Sequence, residues 1–323
     1  MRAIIVPEYG SSDVCELTEI DPPSVEPGEV LVDVRAVGLN FADIVQRRGE
    51  YPGTEPPPYV PGREAAGVIA EVGDGVDREV GERVVVFVSG GAYAEQVTAE
   101  ESAVFDIPES MSFAEAAGFP IQFLTAYHIL HTCGDVGGAE TTLVHAAAGG
   151  VGTATVQLAN RTDTEIFATA STERKRELAA SLGADHTIDY TEGSVPDVIE
   201  EHTDGRGVDL VLDGVGGDVF HESLDALAPF GRLVAYGFAS GDTAEVDTGR
   251  VLFENDWVVG FHLGNALRTD PELIHAAVPE LSEALATGEL RVVVGETFPL
   301  EAAGEAQELI ESRRSTGKVV LEP

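Results

Sequence analysis

Cysteine, lysine and long apolar runs are all scarce in this chain, and each scarcity excludes a class of protein. Cys15 and Cys133 are the only two cysteines, which is too few for a disulfide framework or a cysteine-rich zinc lobe. No apolar stretch approaches the roughly 20 residues of a membrane span. The first apolar run ends at Pro7 and Glu8, so no signal peptide is expected. We therefore expect a soluble, cytoplasmic protein.

Basic residues are scarce as well: 19 lysines and arginines stand against 57 aspartates and glutamates, which gives a formal net charge of −38. Such a surface would repel nucleic acids and anionic membranes, so neither is expected as a partner. The chain is nevertheless 43% hydrophobic, which indicates a folded core. Because arginine almost wholly replaces lysine, the composition indicates a high-salt cytoplasm, where the screening length at molar salt is about 3 Å.

The spacing of strand and helix patterns predicts two domains. Up to residue 118, short apolar runs at 30–37, 66–72 and 83–88 alternate with glycine and proline, which favours a mostly β domain. From residue 119, helical segments separate strands, in the pattern of a doubly wound parallel sheet. These strands are predicted at 142–146, 165–170, 186–188, 209–213, 232–236 and 256–261. The last elements (a strand at 291–294, a helix at 300–312 and residues 318–321) are expected to return to the first domain. We predict an α/β protein with domains 1–118 with 267–323, and 119–266.

A glycine turn at residues 146–152 carries the clearest functional signal. Its pattern, A-x-x-G-G-x-G, joins a short apolar run to a helical segment. Glycines let the backbone approach a phosphate, and a helix N-terminus offers free N–H groups and the positive end of its dipole. The turn therefore predicts a site for the pyrophosphate of a dinucleotide.

The tip of the next strand indicates which dinucleotide is bound. The strand places Ser171 and Thr172 about 20 residues beyond the glycine turn, where a Rossmann unit contacts the adenosine ribose. An NAD site usually has Asp or Glu there, whereas a small polar tip followed by cations such as Lys175 suits the 2′-phosphate of NADP. We predict NADPH, and a contact of Glu173 to the ribose hydroxyl of NADH stays the alternative.

One group of metal-ligating side chains stands close together in the sequence. His128 and His131 share a predicted helix face near Cys133, but Gly134 ends that helix and no fourth ligand is evident. Roles in the core or in capping are favoured for these residues, and no metal is expected.

Several sequence blocks keep a common order along almost the whole chain. They are V-G-L-N-F-A-D at 37–43, R-G-E-Y-P at 48–52, P-G-R-E-A-A-G at 61–67, the glycine turn, G-A-D at 183–185 and T-G-K-V-V-L at 316–321. In these blocks the chain resembles the medium-chain dehydrogenase/reductase superfamily, and most closely its zinc-independent quinone oxidoreductase branch, which includes the zeta-crystallins. The resemblance implies a Rossmann cofactor domain and a mostly β, GroES-like catalytic domain.

The departures from this family concern zinc. Relatives that oxidise alcohols bind zinc through a Cys after the first strand, a His in a G-H-E block, and a further Cys or Asp. Here Asn40 or a neighbour occupies the cysteine region, Arg63 stands where that histidine would be, and Glu64 remains. A guanidinium cannot ligate zinc. Without a Lewis acid, the resemblance implies reduction of acceptors that are already activated by conjugation, such as quinones, enones and alkenals.

The resemblance also assigns roles to three residues near the expected substrate. Tyr51 would donate a proton or a hydrogen bond to the substrate oxygen, although it could instead be a loop tyrosine packed on residues 56–58. Asn40 would orient the nicotinamide or the substrate through its amide, or serve only the local turn. Arg63 would contact substrate or pair with a carboxylate such as Glu64, and the sequence leaves both open.

The resemblance also implies contacts to the cofactor and to a partner chain. The residues assigned to NADPH, besides Asn40, are Ala148, Gly149, Gly150 and Val151 at the pyrophosphate, Ser171 and Lys175 at the 2′-phosphate, Tyr190 at the adenine end, Val215 and Gly216 after the fourth strand, and Tyr236, Gly237, Phe238, Phe261, His262 and Leu263 on the nicotinamide side. Tyr190 and His262 have packing at strand ends as an alternative. The family often forms homodimers by edge pairing, and the apolar run at 257–261 would suit this.

Two further functions stay open. An enoyl-CoA or similar thioester substrate would need a basic groove, for which the candidates are Arg47, Arg48, Arg63 and Arg268. A non-catalytic, lens-crystallin-like protein would bind NADPH without turnover. A zinc alcohol dehydrogenase is the least favoured function, because the zinc donors are missing.

Overall fold

The chain divides into two compact units. The computed structural model describes residues 1–53 and 55–323. Unit 1 comprises Met1–Ile121 and Val278–Pro323, and unit 2 comprises Gln122–Ala277. The sequence predicts the second boundary at residue 266, but the structure places it after Ala277. The helices between these two positions belong to unit 2, and Ile274 is fully buried.

The described residues form fifteen strands, which alternate with helices through the second half of the chain. They are β1 (Arg2–Ile5), β2 (Glu16–Glu19), β3 (Glu29–Gly38), β4 (Glu64–Val72), β5 (Arg83–Phe87), β6 (Gln96–Glu100), β7 (Val104–Asp106), β8 (Thr141–Val144), β9 (Glu165–Ala170), β10 (His186–Asp189), β11 (Val208–Asp213), β12 (Leu227–Ala235), β13 (Trp257–Gly260), β14 (Val294–Pro299) and β15 (Lys318–Glu322).

The α-helices are short, and two π-helical stretches, Pro120–Leu124 and His128–Cys133, flank the third of them. The α-helices are α1 (Phe41–Arg47), α2 (Phe113–Ala116), α3 (Thr125–Tyr127), α4 (Gly150–Ala159), α5 (Glu173–Ser181), α6 (Val195–His202), α7 (Asp218–Asp225), α8 (Thr248–Glu254), α9 (Leu263–Thr269), α10 (Pro271–His275), α11 (Val278–Thr287) and α12 (Ala303–Glu311). Within residues 1–53 and 55–323, none of the helices has both the length and the apolar character needed to cross a membrane.

Unit 1 is built on a seven-stranded sheet in the order β14-β15-β3-β4-β5-β7, with β6 paired to β3. All its pairs are antiparallel except β14 with β15, so the predicted mostly β character is confirmed. Strand β15 places Val320 opposite Gly38 of β3, which brings the last strand beside the first long one. A Cβ on Gly67 would lie 2.1 Å from the Asp33 carbonyl oxygen, so only glycine permits this approach of β4 to β3.

Unit 2 contains a six-stranded sheet in the order β10-β9-β8-β11-β12-β13, and every neighbouring pair is parallel. The predicted doubly wound parallel sheet is therefore confirmed. From β8 the chain adds strands outward to β10, and from β11 it adds strands outward to β13. Ligands of such sheets bind outside the carboxyl ends of the strands where the order reverses, which here is at the ends of β8 and β11.

Some element boundaries differ from those predicted, for local reasons. β8 ends at Val144 rather than at residue 146, because Ala146 adopts a left-handed φ of 49°. The strand predicted at 291–294 is β14, which begins at Val294. The preceding Val292 is buried instead. It packs so closely on Gly118 that a Cβ added to this glycine would lie 2.6 Å from Val292 Cγ1. The helix predicted at 300–312 starts as the 3₁₀ turn Leu300–Ala302 before α12.

Candidate active site

The predicted cofactor residues of unit 2 all lie near the carboxyl edge of one parallel sheet. The register pairs Asp189 with Ala170, Leu212 with Val144, Asp213 with Ala235, and Ala235 with Gly260, so the six strands end together. The turns and helix starts that follow these ends hold the predicted residues: Ala148, Gly149, Gly150, Val151, Ser171, Lys175, Tyr190, Val215, Gly216, Tyr236, Gly237, Phe238, Phe261, His262 and Leu263. Their individual contacts to a cofactor stay predictions.

The glycine turn after β8 has the geometry of a phosphate cradle. The Gly149 N–H donates to the Ala146 carbonyl (2.9 Å), and Gly149 is the N-cap of α4, which begins at Gly150. A Cβ on Gly152 would lie 2.2 Å from the Ala146 carbonyl oxygen, so glycine is required for α4 to approach the turn. The first N–H groups of a helix have no partner within that helix and attract anions. The turn therefore fits a dinucleotide pyrophosphate.

A buried amide beside this helix start escaped the sequence analysis. Gln122 is 1% exposed, and nothing among the described residues hydrogen-bonds its side-chain oxygen or nitrogen. Its Nε2 would lie 2.5 Å from a Cβ on Gly150, so the amide lies against the first turn of α4. Leaving a buried amide unsatisfied costs about 1–3 kcal/mol. Such a group at the N-terminus of α4 fits a site that is completed by a polar ligand.

The turn after β11 is held by a carboxylate that the sequence analysis also missed. Asp213 is fully buried, and its Oδ1 accepts from the backbone N–H groups of Val215 (2.7 Å) and Gly216 (3.1 Å). A Cβ on Gly216 would lie 3.3 Å from Cα of Phe238, so this turn and the one after β12 are in close contact. Burial, and next the charge of Asp213, raise the pKa of Tyr236. Asp213 thus positions two predicted cofactor residues, and its only sequence signal is its place at a strand end.

At the expected 2′-phosphate end, the structure brings three predicted residues to neighbouring positions. Ser171 and Tyr190 each follow one member of the Ala170–Asp189 pair, and Lys175 lies in the first turn of α5. The Thr172 hydroxyl caps this helix by accepting from the Lys175 N–H (3.4 Å). Lys175 is half-buried, and this burial lowers its pKa.

On the expected nicotinamide side, two predicted residues have structural partners. The Phe261 ring stacks on His128 with centroids 5.7 Å apart. His262 is the N-cap of α9, and its Nδ1 accepts from the Asn265 N–H (3.0 Å). His262 therefore has a capping role in addition to any contact with the cofactor.

In unit 1, Asn40 belongs to a buried charged cluster with Glu64 and Lys318. Its Nδ2 donates to Glu64 Oε1 (3.0 Å) and to the Gly38 carbonyl (3.2 Å), and its Oδ1 accepts from Lys318 Nζ (2.8 Å). Lys318 also forms an ion pair with Glu64, and both side chains are buried. Because both amide hydrogens of Asn40 are engaged while its Oδ1 accepts a single bond, the predicted contact to nicotinamide or substrate would use the second lone pair of Oδ1 or require one of the donated bonds to be exchanged.

The partners of Arg63 resolve one question that the sequence left open. Glu64, the carboxylate suggested as its partner, pairs with Lys318 instead. Arg63 Nε lies 3.7 Å from Asp43 Oδ1, and its Nη2 donates to Gln46 Oε1 (3.0 Å). The guanidinium carbon lies 4.4 Å from the centroid of the Tyr51 ring. Asp43, which the sequence analysis did not single out, is therefore the partner carboxylate.

The donor set at the position of the family's zinc does not fit a zinc ion. An arginine engaged with Asp43, an amide and an ion-paired glutamate replace the expected thiolate and imidazole donors. Throughout the part of the chain that the structure describes, no three His, Cys, Asp or Glu side chains are grouped so that they could hold a metal ion. His128 is buried, and its Nδ1 lies 2.8 Å from the Thr132 hydroxyl.

Comparisons with known proteins agree with both units. Residues 26–109 match the family described as "Alcohol dehydrogenase GroES-like domain", and residues 150–283 match "Zinc-binding dehydrogenase". A quinone oxidoreductase of Pseudomonas aeruginosa is 36% identical over 318 residues, which cover 98% of this chain and 97% of that protein. The synaptic vesicle membrane protein VAT-1 homolog of Danio rerio is 36% identical over 341 residues, covering 99% of this chain and 69% of that protein. The structure of Escherichia coli quinone oxidoreductase complexed with NADPH has a TM-score of 0.95 at 32% identity, with 100% of each chain covered.

Proposed function

Because this chain belongs to the medium-chain dehydrogenase/reductase superfamily and has quinone oxidoreductases among its relatives, we propose that it reduces quinones or α,β-unsaturated carbonyl compounds without a catalytic zinc ion. The chain is an NADPH-dependent oxidoreductase of this superfamily. The acceptor class is the proposed part. The observation that carries it is the replacement of the zinc donors by Asn40 and Arg63, whose side chains are engaged with other residues.

The residues of unit 2 fit the cofactor. The glycine turn is proposed to bind the pyrophosphate, because a Cβ at Gly152 would occupy the space in which α4 approaches the turn. The Gln122 amide, which has no hydrogen-bond partner among the described residues, lies beside it. Ser171 and Lys175 are proposed to bind the 2′-phosphate. When bound, NADPH supplies a hydride to the electron-poor carbon or ring of the acceptor.

In unit 1, Tyr51 is proposed to act on the substrate oxygen. Negative charge grows on that oxygen as an activated carbonyl or quinone is reduced, so a hydrogen-bond donor placed there stabilises the transition state. A phenol carries its proton at neutral pH and can donate it. Glu64 and Lys318 would fix Asn40, which is proposed to orient the nicotinamide or the substrate.

The test measures oxidation of NADPH and of NADH separately, with a quinone and with an α,β-unsaturated ketone. We would use about 2–3 M KCl to screen the acidic surface. We expect turnover with NADPH that persists in EDTA. Lys175→Ala should weaken NADPH binding by about tenfold or more while leaving NADH binding unchanged, since only NADPH loses a charged hydrogen bond.

Three results would contradict parts of this proposal. If EDTA abolished turnover and added zinc recovered it, the enzyme would use a metal-dependent mechanism. Equal effects of Lys175→Ala on both dinucleotides would remove the 2′-phosphate assignment. Tight NADPH binding without turnover of either acceptor would favour a thioester substrate or the crystallin-like binding role.

The structure gives little support to the thioester alternative. Three of the four arginines proposed for its basic groove have acidic partners: Arg47 and Arg48 pair with Glu311, and Arg63 pairs with Asp43. Arg47 is also fully buried. These cations would have to leave their carboxylates before binding the phosphates of CoA.

A homodimer through the β13 edge is proposed as the assembly. β13 is the last strand of its sheet, and a β edge without a partner exposes hydrogen-bonding groups. Beside it in the chain, α8 carries Leu252 and Phe253, which are 71% and 81% exposed, and β13 begins with Trp257, which is 53% exposed. Sedimentation velocity tests the proposal, and a species with the mass of one chain at micromolar concentration would contradict it.

A further inference from the structure

The role of Arg63 is suggested by its position between a buried carboxylate and an aromatic ring. Its guanidinium carbon lies 4.4 Å from the centroid of the Tyr51 ring, within the range of a cation–π interaction. The side chain of Arg63 is only 11% exposed, so little of the guanidinium is available to a substrate.

The other partners of Arg63 come from one helix and hold the guanidinium in place. Asp43 and Gln46, three positions apart on α1, lie on the same face of that helix. Gln46 accepts from Nη2 at 3.0 Å, and Asp43 Oδ1 lies 3.7 Å from Nε. Asp43 Oδ2 accepts from the Asn40 N–H (3.0 Å) and the Tyr93 hydroxyl (3.1 Å). Burial raises the pKa of Asp43, and the positive charge of Arg63 is the largest effect opposing that rise.

Tyr51 lies where no regular element fixes its orientation. The last backbone hydrogen bonds before it run from Gly49 to Gln46 (2.9 Å) and from Glu50 to Val45 (3.0 Å), at the end of α1. Residues 51–53 form a turn outside any helix or strand. The stack of Arg63 on the ring therefore contributes to the orientation of the Tyr51 side chain.

We propose that Arg63 is a positioning residue, which is anchored by Asp43 and Gln46 and holds the Tyr51 ring so that its hydroxyl faces the substrate oxygen. This inference rests on the proposed donor role of Tyr51. A guanidinium is suited to this task because its plane can stack on a ring while its edge donates to Gln46 and its charge lies beside Asp43, whereas an ammonium has no such plane.

The test compares Arg63→Lys, Tyr51→Phe and the double variant. Lysine keeps the charge beside Asp43 but loses the stack, so we expect kcat/KM to fall by roughly threefold to thirtyfold, with an unchanged Kd for NADPH. Tyr51→Phe should reduce kcat by about a hundredfold or more. In the double variant, the lysine should add no further loss. Hydrogen exchange of the backbone amides of residues 49–51 and 53 should speed up in Arg63→Lys, which reports positioning without reference to activity.

A matched control is available within the same unit. Arg83 lies 4.6 Å from the Phe113 ring centroid in a similar stack, and Arg83→Lys should leave kcat/KM and exchange at the same amides unchanged. Gln46→Met, which removes an anchor without changing charge, should give a smaller loss in the same direction. If the losses of Arg63→Lys and Tyr51→Phe multiplied in the double variant, the two residues would act independently. That result would overturn the positioning role of Arg63 and leave the donor role of Tyr51 intact. A fully active Tyr51→Phe enzyme would overturn the donor role, and with it this inference.

Discussion

At the scale of single residues, the chain's scarce lysines are informative. It has two, Lys175 and Lys318, and the structure places the second in a slot lined by glycine. A Cβ on Gly38 would lie 2.5 Å from Lys318 Cε, and one on Gly118 would lie 3.3 Å from its Cγ. The ammonium reaches Glu64 and Asn40 at the end of this slot. The unbranched lysine stem therefore passes two glycines before its ammonium reaches the buried carboxylate.

Removing this ammonium should destabilise the protein strongly. Lys318→Met keeps the apolar stem but leaves Glu64 as a buried charge without its ion pair, which lowers the free energy of unfolding by about 3–5 kcal/mol. Denaturant unfolding measures the change. Adding Glu64→Gln should recover part of the loss, because the buried charge is then removed.

Lys175→Met is the matched control for this prediction, since it removes the other lysine from a half-buried position on α5. We expect a smaller loss in the free energy of unfolding than in Lys318→Met, because Lys175 is only half-buried whereas Lys318 and Glu64 are both buried. Similar losses in both variants would mean that the Glu64–Lys318 pair has no special role.

At the scale of elements, the contact between α4 and the glycine turn should tolerate no added methyl group. Gly152→Ala would place a Cβ 2.2 Å from the Ala146 carbonyl oxygen, so the helix start must shift away from the turn. We expect a loss of about 1–3 kcal/mol in stability. NADPH binding should weaken by about tenfold, the equivalent of one charged hydrogen bond.

Gly137→Ala is the control, because a Cβ there would meet nothing within 4 Å. Fluorescence titration with NADPH and thermal unfolding measure both effects. Unchanged NADPH affinity in Gly152→Ala would argue against the turn as the pyrophosphate site.

The elements also show which features a sequence can predict. The strands of unit 2 were recognisable because each buried parallel strand is a short apolar run that ends at glycine or small polar residues, as at β9 and β11. β2 (Glu-Leu-Thr-Glu) was not predicted, since all four of its residues are exposed and it presents no buried apolar face. Its partner β1 was not predicted either, although Ala3 and Ile4 are buried. Edge strand β14 was misplaced, because its residues are more polar than the buried Val292 before it.

The candidate site was predictable only in part, for a related reason. Cofactor turns lie next to their strands, so local sequence indicates them. The partners of Asn40 depend on long-range pairing: Lys318 and Glu64 are 254 positions apart, and β15 brings them together. The partners of Arg63 lie on α1, and Gln46 is 17 positions away in the chain. The orphaned amide of Gln122 likewise has no local signal, because burial and the absence of a partner are properties of the fold.

At the scale of the whole molecule, a net charge of −38 should make stability depend on salt. In dilute buffer, the surface carboxylates repel one another over about 10 Å, whereas in molar salt this range falls to about 3 Å. Self-repulsion favours expanded states, so the free energy of unfolding should rise steadily from 0.1 M towards roughly 2–3 M KCl.

Thermal unfolding across a KCl series, followed by circular dichroism, measures this dependence. Measuring kcat/KM in parallel shows whether activity follows folding. A melting temperature that stays constant from low to high salt would contradict the expected salt dependence.

The burial of Lys318 also makes this protein a convenient target for chemical labelling. With that side chain only 2% exposed, Lys175 is the lysine side chain that an amine-reactive reagent can reach in the folded molecule. Besides the N-terminal amine, a dye, cross-linker or solid support coupled through amines would therefore attach at one lysine, at the proposed 2′-phosphate end of the cofactor site. NADPH should protect that lysine, so the rate of its acylation would report occupancy without any substrate turnover.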